Sequence, residues 1–530
     1  MQQGPAPTPG ELRLGIDGFT YPDFFSPERL KELSSLFDRD VALRNPELSA
    51  SWNAYRGDPA RPRTAVEVSS LLIAMAAEVS AFIARLFRIE DDVERLALAT
   101  AEQDPVFRFK VDFVRRRVLP DLGKIPQSID HAAVNERVAG LRRAADATGR
   151  ETHDPELATA IAGVRLLDAI RALGPKGTPE DRAAIRPFME RLGAASSADL
   201  ELWNDALKQW CAARLRDPAY RDWVSFRFAE PIEHFNLVQV ERPSPELPEG
   251  MFGPAARLRR RDGFGLTDSR MGPREALAEV HYCILCHERD KDSCSKGLRD
   301  AAGAPVVNPL DIALKGCPLD EKISEMHLLR KNGDAIGALA LVMISNPMCP
   351  GTGHRICNDC MKSCIYQKQD PVNIPQIETA VLTDTLNLPW GVEIYGLLTR
   401  WNPLNIGRPY ALPYNGKNVL VVGLGPAGYT LAHYLLNEGF GVVAIDALKI
   451  EPLPEKLTGS ESRTPQPIAS WSEIYRNLEQ RVLEGFGGVS EYGITVRWDK
   501  NFLTLLHLTL ARRTRLKIYG GVRFGGTLPI

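Results

Sequence analysis

The stretch "NVLVVGLGPAGYTLAHYLLNEGFGVVAID", Asn418–Asp446, is the one clear β-turn-α-β pattern in the sequence. Val419 to Val422 form an apolar β run, followed at once by Gly423-x-Gly425-x-x-Gly428. An apolar helical pattern then runs to Asn437, Gly439 stands where it must stop, and Gly441 to Ile445 reads as a second strand ending at Asp446. Each glycine has a distinct task. Gly423 makes the tight turn, Gly425 lets the backbone approach a pyrophosphate at the helix N-terminus, and Gly428 permits close helix–strand packing. Pro426 and Ala427 complete the loop, and Asp446 can accept from ribose hydroxyls. Strand, glycines, helix and acid fall in the register of a dinucleotide-binding turn, for FAD or NAD alike.

Upstream, eight of the nine cysteines lie between Cys283 and Cys364. One group is Cys283-x-x-Cys286, then Cys294, then Cys317; the other is Cys349, then Cys357-x-x-Cys360-x-x-x-Cys364. Between them, "EKISEMHLLRKNGDAIGALALVMISNP" reads as a helical hairpin. Asn332-Gly333 ends the first helix, Asp334 caps the second and Asn346-Pro347 closes it. A hairpin returns the chain on itself, so the two groups can meet. Clustered thiols in a reducing compartment point to metal or redox chemistry rather than to disulfides. Zinc is one reading, since CxxC pairs are its usual signature and His281, His287 and His354 offer further ligands. Two iron–sulfur clusters of four ligands each are the other. The spacing alone leaves both open.

The remainder of the chain frames these two motifs. With 530 residues, two to four domains are expected. A net charge of −2 gives no global field for nucleic acid or a membrane surface. The basic runs Arg115–Arg117 and Arg257–Arg261 read as a solvated helix face and a charged linker. Residues 1 to 240 are rich in Ala, Leu, Arg and Glu at helical spacing, with Cys211 a small core residue. Within them Thr64 and Glu67 form a capping box before an apolar run, Val68 to Ala77, that is too short to span a bilayer and reads as a buried helix. "MQQGPAPTPGELRLG" has no signal-peptide pattern, so a cytoplasmic protein is expected. "ERPSPELPEG", Glu241–Gly250, reads as a linker.

The order of the pieces resembles the family of the glutamate synthase small (beta) subunit and the N-terminal half of dihydropyrimidine dehydrogenase. "GCPLDEKI", "KNGDAIGALALVMISNP", "RICNDCMKSC", "DPVNIPQIE" and "VVGLGPAG" carry the resemblance, over roughly residues 280 to 446. It favours iron–sulfur over zinc and implies two [4Fe–4S] clusters, followed by an FAD site that NAD(P)H reduces. Carried over residue by residue, Cys283, Cys286, Cys294 and Cys364 share one cluster. Cys317, Cys357 and Cys360 hold the other, with Glu378 where the family has a glutamine and Cys349 as the rival fourth ligand. The chain departs from the family by an insertion between Cys294 and Cys317 and by a shorter gap from Cys357 to Cys360. Asp446 also replaces the commoner Glu, and the glycine pair after the second strand is missing.

"EYGITVRWDKNF" and "LKIYGGVRFGGTLPI" resemble the segment before the family's NADPH-binding domain, and no second GxGxxG follows. The expected fold is therefore multidomain: an all-α N-terminal region (1–240), a linker (241–271), an α-helical two-cluster domain (272–400) and an incomplete α/β Rossmann-like FAD-binding domain (401–530). The expected function is electron transfer from NAD(P)H through FAD and the clusters to an acceptor elsewhere. The NAD(P)H site would lie on a missing C-terminal half or a separate subunit, with neither nucleic acid nor membrane as partner. The alternatives are a zinc-stabilised interaction protein with a non-catalytic dinucleotide fold, and an NAD-binding dehydrogenase with structural zinc.

Overall fold

The computed structural model describes residues 12–126, 129–146, 153–254, 269–352, 357–460, 462–480, 482, 484–485 and 499–529. Of the sequence features above, Arg257–Arg261, His354 and residues 491–498 lie outside this set. The first helices are α1 (Pro27–Arg44), α2 (Pro46–Gly57), α3 (Ala65–Phe87) and α4 (Glu90–Ala101). Ser26, Asn45 and Thr64 cap the first three by accepting from backbone N–H groups that the helix itself leaves unpaired. Glu67 returns the bond to the Thr64 N–H at 2.7 Å, completing the expected capping box. By length and composition α3 could cross a membrane, and it runs well beyond the Val68–Ala77 stretch. Here Leu72, Met75, Val79, Phe82 and Ile83 on α3 lie in the core.

The chain divides into two compact units, and the division falls inside α4. The expected helical domain 1–240 is thus not one unit. Residues 98–230 form the second unit, while the described residues up to Ala97 belong with those from Pro231 onward. The second unit holds α5 (Asp104–Arg108), α6 (His131–Ala145), α7 (Pro155–Leu173), α8 (Pro179–Leu192) and α9 (Ser197–Leu215). A π-helical stretch, Phe109–Val118, carries Arg115–Arg117 and buries Phe109 and Phe113, whose rings stack at 5.3 Å. Cys211 is fully buried on α9, as its setting in the sequence suggests.

The first unit resumes with α10 (Pro273–Tyr282), α11 (Ser293–Lys296), α12 (Ile323–Lys331) and α13 (Ala335–Ser345). There follow α14 (Cys349–Thr352), α15 (Asp359–Lys362), α16 (Ile374–Leu386) and α17 (Gly391–Leu398). The α12–α13 hairpin forms where its stop and start signals stand. Gly333 takes a φ of +79° and the Asp334 carboxylate accepts from Gly337 N–H at 2.8 Å. The last elements are β1 (Asn418–Val422), α18 (Pro426–Asn437), β2 (Gly441–Asp446), α19 (Glu455–Thr458), α20 (Lys500–Ala511) and β3 (Leu516–Gly520).

Here the expected fold class is overturned. Among the described residues the molecule is predominantly helical, and they form no Rossmann-like FAD domain. Among the described residues the strands make one small parallel sheet, ordered β1-β2-β3. Val419 pairs with Val442, and Val442 with Leu516. The sheet belongs to the same compact unit as the helices around it. The β-turn-α-β signature specifies one crossover. It does not supply the further strands, or the helices on both faces, that a doubly wound domain requires.

Candidate functional site

Cys283 ends α10 in extended backbone, and Leu285 turns the chain with a φ of +51°. That turn brings Cys286, at the start of a short 3-10 helix, back toward Cys283, and Leu285 N–H donates to the Cys283 sulfur at 3.4 Å. Cys294 lies in α11, and Cys364 follows α15. These four cysteines line one small pocket. Its walls include Ile284, Ile365, Val372 and Ile374, and Tyr366 closes part of it, stacked on Tyr282 at 4.3 Å. Burial pushes the Cys283 thiol up to about 12, raises Cys286 and Cys364, and lifts Cys294 well above its ordinary value. Such sulfurs keep their protons until a cation offsets the loss of water.

Cys317 adjoins this pocket through the backbone, its N–H donating to Cys294 carbonyl oxygen at 2.9 Å. Gly316 makes the approach feasible: it has a φ of +85°, and a Cβ there would sit 2.4 Å from Gly297 N. Cys317 and Cys360 both feel Glu321 and Glu378, and Cys360 also feels Cys317 and Cys357. Burial, reinforced by Glu321 and Glu378, pushes the Cys317 thiol up to about 11. Cys357 is exposed and accepts from Asp359 N–H at 3.5 Å. Buried Cys349 faces the same two carboxyl groups. Glu378, on α16, accepts from Asn346 Nδ2 at 3.0 Å. Its carboxyl is raised well above normal by burial and then by Glu321, whose own value burial pushes up to about 7. Glu321 Oε1 is buried without a hydrogen-bond partner. Two buried carboxyl groups this close resist joint ionisation, and a cation among them removes the conflict.

Four sulfurs thus line one pocket, while Cys317 and Cys360 stand within reach of the charges of Glu321 and Glu378. Among the described residues no three His, Cys, Asp or Glu side chains stand close enough for a single metal ion. Tetrahedral zinc draws each thiolate to about 2.3 Å of one point. His287 turns Nδ1 to Ser324 Oγ at 2.6 Å, and burial lowers His281 to about 4. Glu321 was missed by sequence reasoning. It lies within "GCPLDEKI", but no spacing rule marks it.

The glycine turn forms with Gly423 at a φ of +93° and Gly425 capping α18, whose first turn contains Pro426 and Ala427. Around Gly423 and Gly425 a Cβ would meet nothing within 4 Å, so the backbone stands open there. At Gly428 a Cβ would lie 1.9 Å from Gly423 carbonyl oxygen. Asp446 does something the sequence did not suggest. Its Oδ2 accepts from Leu424 N–H at 2.7 Å and its Oδ1 from Leu448 N–H at 2.8 Å, so the acid braces the turn itself.

Residues 14–88 match the family described as RP005 N-terminal alpha-helical domain. Over 178 residues the chain is 55% identical to the uncharacterized protein RP006 of Rickettsia prowazekii (strain Madrid E), covering 34% of this chain and 24% of that protein. Over 74 residues it is 43% identical to the uncharacterized protein RP005 of the same organism, covering 13% of this chain and 25% of that protein. The chain thus spans about a quarter of the length of the curated relatives it matches.

Proposed function

We propose that this chain is an electron-transfer protein whose helical segment carries two [4Fe–4S] clusters. The observation that carries the reading is the convergence of Cys283, Cys286, Cys294 and Cys364 on one pocket from three separate stretches of chain. Cys317, Cys357, Cys360 and Glu378 would hold the second cluster, with Glu321 as a further carboxylate beside it. When bound, the clusters supply single-electron chemistry. The residues of the chain supply the rest. Apolar walls limit water around the first site, the Leu285 and Asp359 N–H groups orient sulfur lone pairs, and the backbone bond from Cys317 to Cys294 keeps the two sites adjacent.

FAD and NAD(P)H as the electron source belong to the same proposal. The open backbone at Gly423 and Gly425 leaves room for a phosphate-bearing cofactor.

The test is iron, acid-labile sulfide, zinc and released flavin on protein purified without air. About eight irons and eight sulfides per chain are expected, as two cubanes require. Cys364→Ala and Cys360→Ala should each remove about half of both. Stoichiometric zinc without sulfide would sink the reading, and cluster-bearing protein devoid of flavin would remove FAD from it.

A further inference from the structure

Residues just before the three parallel strands meet at the edge of the sheet away from the glycine turn. Tyr414 precedes β1, Gly439 and Phe440 precede β2, and Arg515 immediately precedes β3; together they line a cavity of about 270 Å³. Arg400, Arg512 and Arg513 complete one side. A volume near 300 Å³ is the lower end of what small-molecule sites usually enclose.

Four guanidinium groups line one cavity: Arg515 is exposed at its rim, while Arg400 and Arg513 each carry a buried nitrogen without a partner. Arg512 is neutralised by Glu393, with Nη1 donating to both carboxylate oxygens at 3.1 and 2.9 Å. Glu28, an acid on the cavity wall, accepts from Ser26 Oγ at 2.9 Å. Arg400 is buried; its Nε donates to Gly396 carbonyl oxygen at 3.1 Å, it lies 4.2 Å over the Phe25 ring, and its Nη1 has no partner. Arg513 gives Nη2 to Asn437 Oδ1 at 2.8 Å, while its Nη1 is buried and without a partner. Arg515 lies 4.4 Å over the Tyr414 ring.

Cations gathered away from water repel one another unless an anion joins them. The strain is visible in their proton affinities. Burial and the neighbouring Arg512 pull Arg400 down to about 10, and burial and Arg400 pull Arg513 down to about 9. A single carboxylate is matched by one guanidinium fork. A phosphate offers three terminal oxygens and can engage several forks at once. The aromatic rings of Phe25, Tyr414 and Phe440 give a carbon skeleton an apolar wall beside those donors.

We propose that the cavity bounded by Arg400, Arg512, Arg513 and Arg515 is a binding site for a small organic phosphate, separate from the glycine turn and the cysteine pockets. The full chain is titrated calorimetrically with inorganic phosphate, ribose 5-phosphate and citrate, all at one ionic strength set with chloride. Ribose 5-phosphate should bind, more tightly than inorganic phosphate, and should raise the melting temperature. Arg513→Gln and the rim variant Arg515→Gln should each weaken it at least tenfold, and Arg513→Gln should hold or raise the unliganded melting temperature, since its repulsion with Arg400 is relieved. Variants that bind like the parent chain overturn the proposal. So does a preference for citrate, or a failure of both phosphates to bind.

Discussion

Glu393 shows how much one buried side chain can hold. It is 1% exposed, accepts from the Tyr21 hydroxyl and Ile468 N–H at 2.8 Å each, and takes the Arg512 guanidinium on both oxygens. Those partners come from the two ends of the first unit's chain, so the carboxylate ties distant segments together. Removing one member of a buried pair leaves the other charge uncompensated, at a cost of about 3–5 kcal/mol. Glu393→Gln keeps the shape and removes the charge, leaving Arg512 beside Arg400. It should lower unfolding free energy in urea by at least about 3 kcal/mol. A loss under about 1 kcal/mol would mean that the pair contributes little beyond its hydrogen bonds. Nothing in the sequence marks Glu393, Glu321 or Asp446 for these tasks, because their partners lie far away in the chain or in the backbone of a turn.

At the scale of elements, the start of α3, the ends of the α12–α13 hairpin and the stop of α18 were legible. Caps and glycine stops act over three or four residues, so Thr64 with Glu67 and Gly333 with Asp334 suffice to mark them. The π-helical stretch Phe109–Val118 was not legible. In α7, Gly163 meets the Phe109 ring so closely that an added Cβ would sit 2.4 Å from Phe109 Cδ2. The glycine serves packing there rather than backbone freedom. Gly163→Ala should therefore destabilise the second unit by about 1–3 kcal/mol, against the gain an exposed helical Gly→Ala normally brings. Thermal unfolding of the two proteins decides it: an unchanged or raised melting temperature would show that the ring moves aside without loss.

For the whole molecule, buried histidines link stability to pH. Burial, helped by Arg513, lowers His433 to about 3, and burial lowers His507 to about 4. An unfolded histidine titrates near 6.5, so between that value and the native ones only the unfolded chain takes up the proton. Their contribution is complete above pH 6.5 and falls away as pH drops toward 4, by up to about 1.4 kcal/mol per pH unit for each histidine. Urea midpoints of the parent chain, His433→Gln and His507→Gln at pH 7, 6 and 5 should show a shallower slope in each variant. Parallel slopes would assign the pH dependence to other groups.

The sequence alone determined what neighbours in the chain decide: capped helices, the α12–α13 hairpin, and the strand, glycine turn, helix and strand from Asn418 to Asp446. Those follow from backbone hydrogen bonding and conformational freedom over a few residues. Only the tertiary structure decided the rest. It joined the first helices to the chain from Pro231 onward, kept the three strands as one small sheet inside a helical unit, and set Glu321 beside Glu378. It also gathered Arg400, Arg512 and Arg513 around one cavity. Burial and charge act between residues hundreds of positions apart, and no local pattern records which of them will meet.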